Sequence, residues 1–193
     1  EEAEKAYNSQ RRAAANDMVQ KGAEVENAIN LKRELDGIVD VSGRVKKGYE
    51  GRAAAIVSIL QSQGAEISMQ NGVIKNYGEL SQAIDNYLVK KRAQIVLDAY
   101  EESYKTAQRN IRKSTEAYTK ASRELDKHTK SQAEINRMSA RQVSEYEEKQ
   151  TKLIRAKSKA AAQVNKYNKD ITRYEQALAE FEKGNYSKIN AVL

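Results

Sequence analysis

Residues 100–128, YEESYKTAQRNIRKSTEAYTKASRELDKH, carry a series of apolar or small residues at alternating spacings of four and three. The series comprises Tyr100, Tyr104, Ala107, Ile111, Ser114, Tyr118, Ala121, Leu125 and His128. A second series follows the same rule, with Ala160, Val164, Tyr167, Ile171, Tyr174, Leu178 and Phe181. This is the heptad pattern of helices that pack side by side along one seam. The two stretches therefore predict a pair of long helices.

No glycine or proline interrupts residues 79–183. As one straight helix this run would be about 157 Å long at 1.5 Å per residue, so we expect it to fold back on itself. The segment 126–134 offers the signals for a turn. Its basic residues suit the end of a helix, and Ser131 with Glu134 has the capping-box spacing that starts another.

A turn at that place gives two arms of nearly equal length, 79–129 and 131–183. Their apolar rows would then pair Leu80 with Phe181, Ile84 with Leu178, Tyr87 with Tyr174 and Leu88 with Ile171. The rival position for the turn is near Asn136–Ser139.

The remaining residues predict a smaller helical assembly. Residues 1–36 carry a helical apolar stripe, and seven of the nine glycines fall between positions 37 and 78, around a shorter helix at about 44–67. Residues 184–193 form a C-terminal tail. We therefore predict an all-α, elongated antiparallel helical bundle, whose long hairpin packs at one end on a shorter helical hairpin within a single domain of residues 1–193.

The composition argues against catalysis. The chain has no cysteine, proline or tryptophan, and His128 is its one histidine, so the usual metal, disulfide and nucleophile–histidine arrangements lack their residues. We interpret His128 as the C-terminal residue of a helix, beside Glu124. No glycine-rich phosphate loop precedes a helix. We predict no enzyme, metal, cofactor or small-molecule substrate.

Basic residues outnumber acidic ones by 34 to 27, and residues 149–169 contain seven basic residues and no acidic one. The candidate partner-binding stripe consists of Lys152, Arg155, Lys159, Lys166 and Lys169, with Lys90, Lys91 and Arg92 alongside in the predicted pairing. Such a stripe suits an acidic protein or an anionic membrane surface, and the alternative is a solvated helix face. We expect no nucleic-acid partner, because the tyrosines fall in the seam and not among the cations.

Three further features have structural interpretations. Six of the eleven tyrosines, at 87, 100, 104, 118, 167 and 174, occupy seam positions where the ring is buried and the hydroxyl reaches the edge. Ala53–Leu60 is the most apolar segment and predicts a buried helix, with membrane insertion as the alternative. Asn185 begins an Asn-Tyr-Ser triplet, a possible exposed site of N-glycosylation.

In architecture alone, the predicted bundle resembles the helical coat and receptor proteins of trypanosome surfaces, and also the coiled-coil hairpins of bacterial toxins and secretion-system tips. Our first hypothesis is a non-enzymatic surface, coat or adhesion element, extracellular or at the cell surface, with any membrane anchor outside these residues. The alternative is a module that binds acidic partners or anionic membranes through the basic stripe. A helical toxin or secretion component acting through Ala53–Leu60 is the weakest hypothesis.

Overall fold

The computed structural model describes residues 1–189. Its elements, in chain order, are α1 (Glu2–Ile38), α2 (Glu50–Ser62), β1 (Met69–Gln70), β2 (Val73–Ile74), α3 (Tyr77–His128), α4 (Gln132–Ile135), α5 (Ala140–Glu182) and a short 3-10 helix at Tyr186–Lys188. The predicted all-α helical bundle is confirmed, with the long helices α3 and α5 packing against shorter ones. Of the predicted tail, residues 190–193 lie outside the described residues.

The chain divides into two compact units. The first, here called the hairpin unit, comprises Glu1–Tyr7 and Ser103–Arg173. The second, the core unit, comprises Asn8–Glu102 and the chain from Tyr174 onward. The helices α1, α3 and α5 each supply residues to both units. A single domain over 1–193 stays a prediction.

The core unit is built around one cluster of buried apolar side chains from α1, α2, β2 and the first turns of α3. Helix α2 contributes Ala53, Ile56, Val57 and Leu60, which lie on one face at spacings of three and four. All four are buried, whereas Ala54, Ala55 and Ser58 are exposed, so the predicted helix is present at Ala53–Leu60 but only one of its faces is buried.

Helix α2 is shorter at both ends than the predicted span of about 44–67. Before it, the amide of Val45 donates to the carbonyl of Gly72 at 2.9 Å, so this backbone is engaged in a loop contact instead of a helix. Gly48 has a φ of 90°, and Gly64, just after the helix, has a φ of 88°. These left-handed conformations interrupt a right-handed helix.

A small antiparallel hairpin, β1–β2, was not predicted. Its turn residues Asn71 and Gly72 have φ values of 51° and 70°, the conformation that Asn-Gly adopts in two-residue hairpin turns. The same region holds Gly43 at φ 85°, where an added Cβ would lie 2.1 Å from the carbonyl oxygen of Ile74. The Asn-Gly pair was the available sequence signal for this hairpin.

The reversal between α3 and α5 occupies residues 129–139. Ser131 and Glu134 form the predicted capping box, and the Ser131 amide donates to the Glu134 carboxylate at 2.8 Å. This hydrogen bond holds the pKa of Glu134 below its ordinary value. The helix that the box begins, α4, ends after four residues. The predicted start of the second arm at residue 131 is therefore wrong.

The second arm begins at a capping pair that the sequence analysis did not identify. The amide of Ser139 donates to the Gln142 side chain at 2.9 Å, and the amide of Gln142 donates to Ser139 Oγ at 3.3 Å. This is a second capping box, of the Ser-x-x-Gln kind, and α5 follows it at Ala140. The rival turn near Asn136–Ser139 thus describes the last part of the reversal.

The longer reversal changes the register of the two arms. In the core unit the Tyr174 hydroxyl donates to the carbonyl of Leu97 at 3.2 Å, ten positions from the predicted partner Tyr87. Phe181 lies beneath the ammonium of Lys90 at 6.0 Å, again ten positions from the predicted partner Leu80. Leu88 belongs to the buried cluster of the core unit, whereas Ile171 packs in the hairpin unit. The predicted pairing is therefore wrong, although the seam residues Tyr174 and Phe181 do contact α3.

The hairpin unit has a thin core of small and aromatic residues. Tyr7, Ala107 and Tyr167 form its buried cluster, with Ile111 and Ile171 against it. The rings of Tyr7 and Tyr167 meet edge to face at a centroid distance of 5.0 Å. The start of α1 is therefore held on the two long arms of this unit.

Candidate functional site

Positive charge is concentrated in the hairpin unit. Its residue ranges contain 19 basic and 11 acidic residues, a net charge of +8. The ranges of the core unit contain 15 basic and 16 acidic residues, a net charge of −1. The whole excess charge of the protein is therefore carried by one unit, and we take its basic surface as the candidate site.

The predicted stripe on α5 lies on the solvent side of the hairpin unit. We call Lys152, Arg155, Lys159, Lys166 and Lys169 the α5 stripe; all except Lys166 are exposed. Lys152 also pairs with Glu148, one turn before it, at 2.6 Å, and this contact holds the pKa of Glu148 below its ordinary value.

Lys166 differs from the rest of the α5 stripe, because α1 begins beside it. Its ammonium lies 5.5 Å from the centre of the Tyr7 ring, a cation–π contact. Glu4, on the first turn of α1, accepts a hydrogen bond from Gln163 at 3.4 Å. The acidic start of α1 thus packs along the second half of the α5 stripe, and the open part runs from Lys152 to Lys159.

Lys90, Lys91 and Arg92 belong to the core unit. Their predicted alignment with the end of the α5 stripe is wrong, because Lys90 faces Phe181, twelve positions beyond Lys169. Lys90 lies over the Phe181 ring, Lys91 donates to the Gln63 carbonyl at 2.6 Å, and Arg92 forms an ion pair with Glu26. Each of these cations therefore takes part in a contact within the core unit.

A second row of cations, on α3, was missed by the sequence analysis. We call it the α3 stripe; it consists of Lys105, Arg109, Arg112, Lys120, Arg123 and Lys127. All six are exposed. Their spacings of four and three, continued across Glu116, keep them in one row along the helix. The row is offset from the apolar seam by one or two positions, as Arg109 is from Ala107, and therefore lies on the opposite side of the same helix. The four-and-three spacing of these cations was the available signal, and the acidic residues between them hide it in the linear sequence.

Most of the α3 stripe has no partner among residues 1–189. Arg109 donates to Thr106 at 3.0 Å, and Lys105 takes part in a further interaction. No hydrogen bond or ion pair is found there for the side chains of Arg112, Lys120, Arg123 or Lys127.

His128 and the tyrosines serve packing. His128 is the last residue of α3, as predicted, but its ring stacks on Tyr146 at 4.7 Å and its Nε2 lies 3.1 Å from the Tyr146 carbonyl oxygen. Of the six predicted seam tyrosines, those at 100, 167 and 174 are buried, the one at 104 is half-buried, and those at 87 and 118 are more than one-third exposed. Tyr7, Tyr77 and Tyr146 are buried tyrosines outside that set.

Asn185 is half-buried and not fully exposed as expected, and its glycosylation stays a prediction. Its Nδ2, the atom that would carry a glycan, donates to the Glu180 carboxylate at 2.8 Å. This contact precedes the 3-10 helix at Tyr186–Lys188.

The core unit contains a buried lysine that the sequence analysis did not single out. The side chain of Lys32 is fully buried, and its ammonium donates to Asp36 at 2.8 Å, Ser81 at 2.8 Å and Asp85 at 3.0 Å. The Tyr77 hydroxyl donates to the same Asp36 carboxylate. Burial first, and then the Asp36 carboxylate, raise the pKa of Tyr77 well above its ordinary value.

We expect Tyr77 to make stability fall in alkali. Because its folded-state pKa is raised, its contribution is complete below the unfolded-state pKa of about 10 and is lost as the pH rises above that value. Urea unfolding at a series of pH values should give a smaller alkaline loss of unfolding free energy in Tyr77→Phe than in the wild type. Tyr49→Phe, at an exposed position, is the control. Equal alkaline losses in Tyr77→Phe and the wild type would contradict the prediction.

Within residues 1–189, no group of three or more His, Cys, Asp or Glu residues is placed to hold a metal ion. No helix in this range combines the length and apolar character needed to cross a membrane. Comparison with protein families, curated proteins and solved structures finds no match to this chain.

Proposed function

We propose that this protein is a non-enzymatic helical interaction element that docks onto an acidic partner through its hairpin unit. The observation that carries the proposal is the net charge of +8 in that unit, beside −1 in the core unit. Clustered cations attract an acidic partner over a distance of about 10 Å at ordinary salt and accelerate its association.

The arrangement of side chains supports the same function. Many cations of the hairpin unit lie on two exposed helix faces, the α3 and α5 stripes, whereas Tyr7, Tyr167, Tyr146 and His128 are engaged in packing contacts. A solvated face needs no such concentration of one sign of charge in one unit.

The test compares two variants with the same change in net charge. The hairpin-unit variant carries Lys120→Glu, Arg123→Glu and Arg155→Glu; the core-unit variant carries Arg12→Glu, Lys47→Glu and Lys75→Glu, all at exposed positions. Each is titrated at about 50 mM and about 200 mM salt with three probes: poly-L-glutamate, a single-stranded oligonucleotide, and vesicles containing phosphatidylserine.

We expect the wild type to bind at least one probe at the lower salt concentration and to lose at least about tenfold in affinity at the higher one. The hairpin-unit variant should lose most of this binding, and the core-unit variant should keep it. Absence of binding to all three probes, or equal losses in both variants, would overturn the proposal.

A role as a surface, coat or adhesion element is our second proposal. It is supported by the defined conformation of residues 129–139. Two capping boxes and the stack of His128 on Tyr146 hold the backbone of this exposed reversal. Such an element presents a defined loop and has no need of an acidic ligand. It therefore predicts no salt-sensitive binding to any of the three probes, opposite to the first proposal.

The toxin hypothesis has less support. Insertion through Ala53–Leu60 requires exposure of side chains that are buried in the core unit. We do not propose it further.

A further inference from the structure

The α3 stripe forms a straight line of charge. From Lys105 to Lys127 it extends about 33 Å at 1.5 Å per residue, with its cations three or four positions apart except at Glu116. The seam residues Ala107, Ser114 and Ala121 on the other side of α3 are buried. A flat surface touches a helix along one line, and the α3 stripe occupies the line opposite the seam.

We propose that the α3 stripe binds the anionic headgroups of a phospholipid membrane along this line, without insertion into the hydrocarbon layer. The inference rests on the proposed docking function and names the class of acidic partner. Six cations and Glu116 give the line a net charge of +5. Arg112, Lys120, Arg123 and Lys127 can approach headgroup phosphates without first breaking an ion pair within residues 1–189.

The neighbours of the stripe distinguish a membrane from other acidic partners. Thr115 and Thr119 flank it, and Tyr118 lies at the seam, with the ammonium of Lys157 5.6 Å above its ring. The stripe itself therefore offers neither aromatic rings for stacked bases nor an apolar strip for a partner helix. A charged headgroup layer needs neither, because its attraction for a row of cations is electrostatic and falls with salt.

The experiment measures sedimentation of the intact protein with two kinds of vesicle, pure phosphatidylcholine and phosphatidylcholine containing about one-third phosphatidylserine, at about 50 mM and about 200 mM salt. The α3 variant carries Arg112→Glu, Lys120→Glu and Arg123→Glu. The matched α5 variant carries Lys152→Glu, Arg155→Glu and Lys159→Glu, with the same change in charge, within the same unit, at exposed positions. Circular dichroism checks that both variants keep the helix content of the wild type.

We expect binding only to the vesicles with phosphatidylserine, and a lower affinity at the higher salt concentration. Each cation at an anionic surface contributes about fivefold to affinity, so the α3 variant should lose at least about 100-fold, and the α5 variant less than about tenfold.

Equal losses in the two variants would overturn the inference, because net charge alone would then explain binding. Binding to pure phosphatidylcholine would overturn it in favour of apolar insertion. If the wild type binds poly-L-glutamate or the oligonucleotide but no vesicle, the docking function survives and the membrane inference fails. If it binds no probe, both fail.

Discussion

Replacement of Lys32 by alanine is expected to lower the free energy of unfolding of the core unit by about 3 kcal/mol. The substitution removes a fully buried cation from between two carboxylates, those of Asp36 and Asp85, and leaves a cavity where its stem was packed. The carboxylate side chains are each 40 % exposed, so water can solvate them after the ammonium is removed. The expected loss of unfolding free energy therefore lies at the lower end of the range for breaking a buried ion pair.

Urea unfolding followed by circular dichroism measures this change, and hydrogen exchange of peptides within residues 8–38 and 77–102, the core-unit parts of α1 and α3, assigns it to the core unit. Lys32→Met keeps most of the side-chain volume, so it should cost about 2 kcal/mol, chiefly from the lost charge contacts. Lys21→Ala is the control: Lys21 pairs with Asp17 on the exposed surface of the same helix and should cost less than about 0.5 kcal/mol. A cost below about 1 kcal/mol for Lys32→Ala would show that water replaces the ammonium without penalty.

Replacement of Tyr7 by alanine is expected to destabilise the hairpin unit by about 3 kcal/mol and to release the first turn of α1. Tyr7 is fully buried, its ring meets that of Tyr167, and its hydroxyl donates to Asp170 at 2.7 Å. Alanine removes all of these contacts and leaves Tyr167 without its aromatic neighbour.

Hydrogen exchange should show lost amide protection at residues 5–7, whose amides are the first with an acceptor one turn earlier, and faster exchange in the facing parts of α3 and α5. Tyr7→Phe keeps the ring and loses the hydrogen bond, so we expect a cost of about 1 kcal/mol. Tyr49→Ala, at a position that is 49 % exposed, should change stability by less than about 0.5 kcal/mol. If Tyr7→Phe costs as much as Tyr7→Ala, the hydrogen bond to Asp170 and not the ring holds α1 in place.

The candidate site was partly visible in the sequence. The acid-free run at residues 149–169 led to the α5 stripe, whose cations are exposed as expected except at Lys166. The α3 stripe was equally readable from its spacing, but Glu116 and other acidic residues nearby concealed it in counts taken along the chain. Glu116 lies on the cation line itself, whereas helix geometry places other acidic residues such as Glu124 beside the line, a difference that a count along the chain does not register.

Other site residues depended on contacts between distant segments. The cation–π contact of Lys166 requires the start of α1, more than 150 positions earlier, to lie against α5. The burial of Lys32 likewise requires α3 to bring Ser81 and Asp85 to α1. No local pattern marks a lysine for burial, because lysine is ordinarily exposed and only a converging set of acceptors makes its burial tolerable.

The long helices, their seams and the capping box at Ser131 follow from local sequence, because helix periodicity and capping depend on residues only a few positions apart. Tertiary structure decided the register of the long arms and the length of their reversal. A heptad seam repeats, so sliding one arm by nearly three helical turns still places an apolar row against an apolar row. The ten-position shift seen at Tyr174 is therefore fixed by the reversal at 129–139 and by single contacts such as that with Leu97.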